Sequence, residues 1–440
     1  MELFRFGLHA KNDRLNLQNI DRKRYKYGYL LIFACFFIYM SSMAAKGIFS
    51  AEVKYIIDMW DLTQAKAQMA NTFYFVPYGL VQVGLFFLMK KINIRKYLIV
   101  TVPFSALATA LIGISSSIEW VWLYFGLSGL FQAGIYCGCN YILSTYLPTK
   151  MLSTANKIMN TAYAMGTVIA YLLSAFCISL DLWSLPYFVI GGIFLLSVLV
   201  FAIVTKFSAR FKHINQILDD KEKQVDTKMV DDEKPLFSVD TKKSRIIFYV
   251  IDLLMAFIIT SLYYGVMNFI TSSLVDVHGV SQDVSIYVAI IAPITIVAGP
   301  MMTISSCDKD RDFIREGIFY MLALLPIPLL LAFFYDVNVF LYLALAIVFI
   351  VVANGVKAIV LSVMTFKMRK IINAGSYSAI SNAVASVSAG VTPAILGWVK
   401  DVFGWSAVYF TVFGISLFIV VALILIELWV CRLNKKTDAK

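Results

Sequence analysis

Charge is scarce in this 440-residue chain: 15% of its residues are Asp, Glu, Lys or Arg, against 60% that are hydrophobic. A soluble domain of this length carries more charge and less apolar surface. Histidine is nearly missing. His9, His213 and His278 all fall outside the long apolar runs, which excludes a histidine proton relay at mid-membrane. No Gly-rich phosphate loop, catalytic constellation or metal-ligand cluster is visible. ATP hydrolysis, an enzymic reaction, and a cofactor or metal are therefore not expected. The six cysteines, Cys35, Cys137, Cys139, Cys177, Cys307 and Cys431, lie in or beside apolar runs. Cys137 and Cys139 are two apart and would face different ways on a helix. All six read as small apolar packing residues rather than ligands or a disulfide. The alternation over about ten residues that marks a barrel strand is also missing.

Long hydrophobic runs are what the chain has instead. Segments of roughly twenty apolar residues recur from end to end, each long enough to cross a hydrocarbon core about 30 Å thick. Spanning by helices follows, because a helix satisfies its own backbone. Twelve spans are expected, near residues 27–50, 67–89, 97–116, 120–144, 153–179, 184–205, 246–275, 284–306, 314–334, 337–366, 374–399 and 404–431. Residues 206–245 hold ten Lys/Arg and eight Asp/Glu with few apolar residues, and read as a solvated linker. The organisation predicted is a segment 1–26, a bundle 27–205, the linker 206–245, a second bundle 246–431 and a tail 432–440. Gly84 and Gly299, near corresponding ends of the second span in each half, suggest an internal repeat.

The net charge of +11 does not point to nucleic acid, since no basic and aromatic recognition motif accompanies it. The basic residues alternate between the two sides of the expected membrane. With the N-terminus inside, all of the 38 Lys/Arg fall in or beside cytoplasmic segments except Lys46, Lys54, Lys66, Lys357 and Lys400. This asymmetry places both termini in the cytoplasm of a multi-pass protein of the cell (inner) membrane. No cleavable leader is seen, because residues 1–26 are polar and basic and the apolar stretch after them is too long.

Several stretches carry a resemblance. "GLFQAGIYCGCNYILSTYLPTK" (129–150), "ANKIMNTAYAMG" (155–166), "YYGVMNF" (263–269) and "DVFGW" (401–405) occur in an order and spacing similar to the major facilitator superfamily. Within it they resemble the organophosphate:anion antiporters, which include the glycerol-3-phosphate and hexose-phosphate transporters. The resemblance implies an all-α membrane fold of twelve helices in two pseudo-symmetric six-helix bundles, and a transport cycle. That family clamps phosphate with two arginines; their positions fall on Lys46 and on uncharged Tyr263. A usual histidine falls on Tyr163 and a usual arginine on Tyr141. The loop motif between spans two and three becomes "GLFFLMKKINIRK", without its acid. Fold and transport cycle are thus implied more firmly than phosphate.

Three ionisable residues look deep. Lys357 is ten residues from Lys367, about 15 Å at 1.5 Å per residue, too deep to snorkel easily. Asn354 lies one turn away on the same face. Lys357 either is satisfied by carbonyls and tyrosine hydroxyls or lines a substrate cavity. Lys46 lies about 28 Å along its helix from Tyr27, with Glu52 following soon after. By spacing it either snorkels at the outer end or faces the cavity, and the resemblance favours the cavity. Asp252, two turns into span seven, reads as a partner for a basic residue or helix terminus, or as a proton site. Tyr141, Tyr163, Tyr263 and Asn382 complete the candidate binding residues, each also able to act as interhelical glue.

Two central lysines without a deep carboxylate make an electropositive cavity. Lysine lacks the planar fork of arginine, so a carboxylate or monoanion becomes as plausible as a phosphate ester. The expectation is a monomeric secondary transporter in the lipid bilayer, moving a small organic anion by alternating access through exchange or symport. The alternative is a transporter-like sensor that binds its ligand and signals to a partner protein. Export of amphipathic compounds fits the aromatic spans but not the lysines.

Overall fold

The computed structural model describes residues 10–88, 91–208, 242–295, 298–299, 313–363 and 374–438. Among them every regular element is a helix. The first half holds α1 (Ala10–Met59), α2 (Gln64–Leu88), α3 (Ile94–Ile112), α4 (Ile118–Gln132), α5 (Ile135–Tyr146), α6 (Thr149–Ile178) and α7 (Leu185–Ser208). The second holds α8 (Lys242–Met267), α9 (Ile270–His278), α10 (Gln282–Ala289), α11 (Phe313–Leu324), α12 (Pro326–Phe334), α13 (Val339–Ala358) and α14 (Ala374–Asp438). A π-helical turn, Ile359–Val363, follows α13 directly.

Eight described helices are long and apolar enough to cross a membrane. α4 and α5 abut within one expected span, α8 and α9 within another, and α14 covers two. Large apolar side chains such as Leu80, Leu199, Phe319 and Phe340 stand exposed around the bundle, as lipid-facing positions require. Helix ends follow local chemistry. The Asn93 side chain accepts from the Lys96 amide to start α3, and Asn338 accepts from the Phe340 and Leu341 amides to start α13. Gly279 ends α9 in the left-handed conformation. Gly404 breaks α14 at φ 81°, ψ −179°, a region that glycine alone occupies without strain. The chain reverses there, within "DVFGW".

Three boundaries depart from expectation. α1 begins at Ala10 rather than near Tyr27 and continues to Met59 rather than residue 50. α14 runs to Asp438, through most of the expected tail. Hydropathy sees only the apolar part of a helix, whereas hydrogen bonding carries it on into polar sequence. Residues 209–241 of the expected linker lie outside the described residues.

In the first half α1 packs on α6 and α7, and α3 on α4 and α7; in the second, α14 packs on α8 and α12. Between halves the contacts pair α2 with α14 and α6 with α10. Counted in spans, the second of each half meets the fifth of the other, which is what a pseudo-two-fold axis between repeats demands. The α2–α14 seam uses small residues. A Cβ on Gly390 would lie 2.9 Å from the Phe75 Cβ, and one on Gly397 would lie 2.9 Å from the Ala65 Cα. Such residues let helix backbones approach closely. The Gly84–Gly299 echo does not extend to packing. A Cβ on Gly299 would strike the backbone of α13, while Gly84 has open space.

At the face away from the termini, polar groups join the halves. The Lys54 ammonium sits 2.6 Å from both Asp58 and Asp276, and Lys400 lies 3.2 Å from Asp276. Gln282 donates to Asp58 at 2.6 Å. The Asp401 carboxylate accepts from the Gln64 and Ala65 amides at 3.0 and 2.8 Å. The second half thus caps the N-terminus of α2, with negative charge at the positive end of the helix dipole.

Candidate functional site

Below this closed face, α1, α2, α6, α8 and α13 bring two ammonium groups and four aromatic rings together. Lys46 comes from the first half and Lys357 from the second. The placement of Lys46 follows from tight α1–α6 packing: a Cβ on Gly47 would lie 3.0 Å from the Ala170 Cβ. Gly166, on α6, backs onto the Met40 and Ala44 backbone. The helices are therefore close enough for the Lys46 ammonium to donate to the Tyr163 hydroxyl at 3.3 Å. Lys357 is set by the packing of α13 on Gly299 and by the wider π turn that begins two residues later.

The rings hold both cations. The Lys46 ammonium lies 5.0 Å from the Phe75 ring centre, 4.9 Å from that of Tyr163 and 5.8 Å from that of Tyr264. Lys357 lies 4.3 Å from the Tyr263 ring centre and 5.4 Å from that of Tyr264. Tyr264 is thus shared between the halves. Each such contact is worth about 0.5–2 kcal/mol, the upper end where water is excluded. Among the described residues no carboxylate lies within ion-pair distance of either ammonium.

Proton donors exceed acceptors here. A lysine ammonium only donates, so the Tyr163 oxygen accepts from Lys46. The Tyr163 proton is then free for the Tyr264 hydroxyl, 3.3 Å away. That leaves the Tyr264 hydrogen, the remaining ammonium hydrogens and the Tyr263 hydroxyl, which is buried without a partner among the described residues. Such a donor-rich pocket suits an acceptor-rich ligand.

The candidates from the sequence divide as follows. Lys46, Lys357, Tyr163 and Tyr263 meet in this cluster. Asn354, 3% exposed, lies one turn before Lys357 on α13. Asn382 is half-buried on α14, where its carbonyl accepts from Ser386. Tyr141 on α5 is 41% exposed and makes no ring or hydroxyl contact with the two lysines. Asp252 is buried, with one carboxylate oxygen unpartnered among the described residues. The basic residues Lys367, Arg369 and Lys370 lie outside those residues.

Phe75 and the bridging position of Tyr264 were not expected from the sequence. Nor was the enclosure of Glu52, which lies beyond the expected membrane end of the first helix. Glu52 is fully buried between α1, α6 and α7. One of 34 phenylalanines carries no signal of its own. Glu52 looked like part of a solvated end because Lys54 and Asp58 follow it.

Two repeated helical halves around a central, charged, aromatic-lined site define a polytopic membrane protein built on a carrier plan. The description of the Major Facilitator Superfamily matches residues 31–382, and the chain belongs to that superfamily. Solved structures agree on the fold. A bacterial homologue of the human lysosomal transporter Spinster, inward-facing and unoccupied, shares 16% identity over 91% of this chain and 95% of its own, with TM-score 0.64. A peptide transporter, POT, shares 13% identity over 91% of this chain and 95% of its own, with TM-score 0.67. A mutant of the nucleoside transporter NupG shares 13% identity over 90% of this chain and 99% of its own, with TM-score 0.64. No functionally curated protein matches the chain.

Proposed function

We propose that this protein is a secondary transporter that moves a small organic anion, a carboxylate or phosphate ester, by alternating access. The observation that carries the reading is the convergence of Lys46 and Lys357, one from each half, on a donor-rich aromatic cluster. An anion held between them is attracted by both charges in a site of low dielectric. The resemblance to the organophosphate:anion antiporters supports the same class. At Tyr263, where those proteins carry their second arginine, the Lys357 ammonium lies over the ring at 4.3 Å. The charge missing from α8 is supplied by α13. Lysine offers a point charge rather than a fork, which favours monoanions and carboxylates over a doubly charged phosphate.

Exchange of one anion for another, or symport, drives the cycle. The protein works as a monomer in the cell (inner) membrane, with both termini in the cytoplasm. On that orientation the closed face with Lys54, Asp276 and Asp401 is the outer one. The test is uptake and counter-anion exchange in proteoliposomes, comparing the parent with Lys357→Ala. Loss of flux for every accepted anion supports the reading. Undiminished flux in the variant makes Lys357 structural. Saturable anion binding without flux in the parent, together with a co-purifying regulator, assigns the sensor instead.

A further inference from the structure

The lysine cluster leaves unused one built arrangement, six residues further along α1. The Glu52 side chain is 0% exposed, as are Ser174 on α6, and Tyr187 on α7 is equally enclosed. The Ser174 and Tyr187 hydroxyls face the Glu52 carboxyl. Both carboxyl oxygens, the Ser174 Oγ and the Tyr187 OH all lack a hydrogen-bond partner among the described residues. The other titratable groups facing it are Tyr55 on its own helix and Cys177 on α6, with Asp181 acting on Tyr55. None of these is a cation. Elsewhere in the first half, buried Gln132 is satisfied: it accepts from Ser42 and Tyr74, both at 2.8 Å, and donates to Ser128 at 2.8 Å.

We infer that Glu52, Ser174 and Tyr187 form a proton-binding site within the first half of the protein. A buried carboxylate without a counter-charge carries a large desolvation penalty. Binding a proton removes that charge. The neutral acid then has one O–H to donate and one carbonyl to accept, and two hydroxyls stand ready for both. Glu52 is seven residues from Met59, about 10 Å along the helix. Between them Lys54 is pinned to Asp276 of the opposite half. When that face opens, the pin breaks and water reaches the last turns of α1. The carboxylic acid then ionises to carboxylate, and its proton passes to that water. The coupling of this release to substrate movement rests on the transport reading; occupancy of the site by a proton does not.

Infrared spectroscopy of the full-length protein in lipid nanodiscs tests the site without any substrate. At neutral pH a carboxylic-acid carbonyl band is expected that disappears in Glu52→Gln and survives in Asp252→Asn. Tyr187→Phe and Ser174→Ala should each move this band to higher frequency, because a hydrogen bond to the acid is lost; this arm stands even if Glu52→Gln fails to fold. In Lys54→Met, with one pin to the second half removed, the band should titrate away at lower pH than in the parent. A band unchanged in Glu52→Gln overturns the proposal. So does a band that sodium chloride removes and choline chloride does not, which would assign a sodium site. An unmoved band in both hydroxyl variants removes Ser174 and Tyr187 from the site, and an unshifted titration in Lys54→Met removes the link to opening. None of these readings depends on flux, so each is separable from failure of the transport proposal.

Discussion

Replacing Lys357 with methionine separates the charge from the packing it sits in. Methionine keeps the length and fills the same space between Tyr263 and Tyr264, so no large cavity forms. Two opposing terms act on stability. The variant loses a cation–π contact at 4.3 Å and another at 5.4 Å, together worth about 1–4 kcal/mol. It also loses the cost of a charge at membrane depth, about 2.5–3.5 kcal/mol on insertion scales. These nearly cancel, so the melting temperature should stay within a few degrees of the parent. Anion binding has no such compensation. One charge about 4 Å from an anion at an effective dielectric of about 20 contributes about 4 kcal/mol, roughly a thousand-fold in affinity. The assay is thermal stabilisation of purified protein by phosphate, glycerol phosphate, lactate and succinate, titrated to obtain affinities. Parent protein should be stabilised by at least one of these and Lys357→Met by none at the same concentration. A variant that binds as tightly as the parent would falsify the electrostatic argument, because no other term at Lys357 is of that size.

Tyr163→Phe removes the acceptor for Lys46 at 3.3 Å while leaving the ring beneath the ammonium. Anion affinity should fall roughly ten- to 150-fold, on the order of 1.5–3 kcal/mol for a bond to a charged group, and equal affinity would show Lys46 to be held by its rings alone. Asp401→Ala deletes two bonds to the α2 amides, a capping loss of about 0.5–2 kcal/mol. Spin labels at exposed Met59 and Val402 should then report a larger open population of that face, and an unchanged distance distribution would show that the cap does not hold the halves together. Gly404→Ala places a Cβ at φ 81°, at a cost of about 1–3 kcal/mol. The melting temperature should drop, and an unchanged value would mean that the turn relaxes freely.

What was legible in the sequence follows from what the membrane penalises. Apolar length is obligatory in a bilayer, so apolar spans could be read, whereas the expected six-and-six division rests on the charged segment 206–245, of which 209–241 lie outside the described residues. Helix beyond the bilayer is not penalised, and the three extensions, before Tyr27, from residue 50 to Met59 and after residue 431, went unseen. Lys46 and Lys357 stood out because a charge at depth is rare. Their aromatic partners did not, because Phe75 and Tyr264 are ordinary residues for a membrane helix and only the crossing of α2, α6 and α8 makes them neighbours. Tyr141 was carried across by resemblance alone. It lies on the expected helix, yet its side chain is 41% exposed and apart from the cluster. Glu52 failed for the opposite reason. Three charged residues within seven positions look like a solvated helix end, and only Ser174 and Tyr187 from other helices show the carboxyl to be enclosed.

The division of charge between the halves bears on how a ligand would drive the cycle. A ligand shifts a conformational equilibrium only by its difference in affinity for the two states. Were both lysines in one half, an anion would bind equally well whichever way the halves were tilted. With Lys46 on α1 and Lys357 on α13, an anion bound as proposed would meet both ammoniums only when the halves approach around Tyr264. The empty site has the reverse preference, since two unscreened cations facing one another repel. The contacts that lock the far face are of a kind that water readily replaces: partly exposed ion pairs and capped amides, each worth about 1 kcal/mol. Attraction of about 4 kcal/mol from each lysine is large enough to compete with such a lock. On the proposed reading, one cation per half would make occupancy, rather than the lock alone, decide how far the halves close.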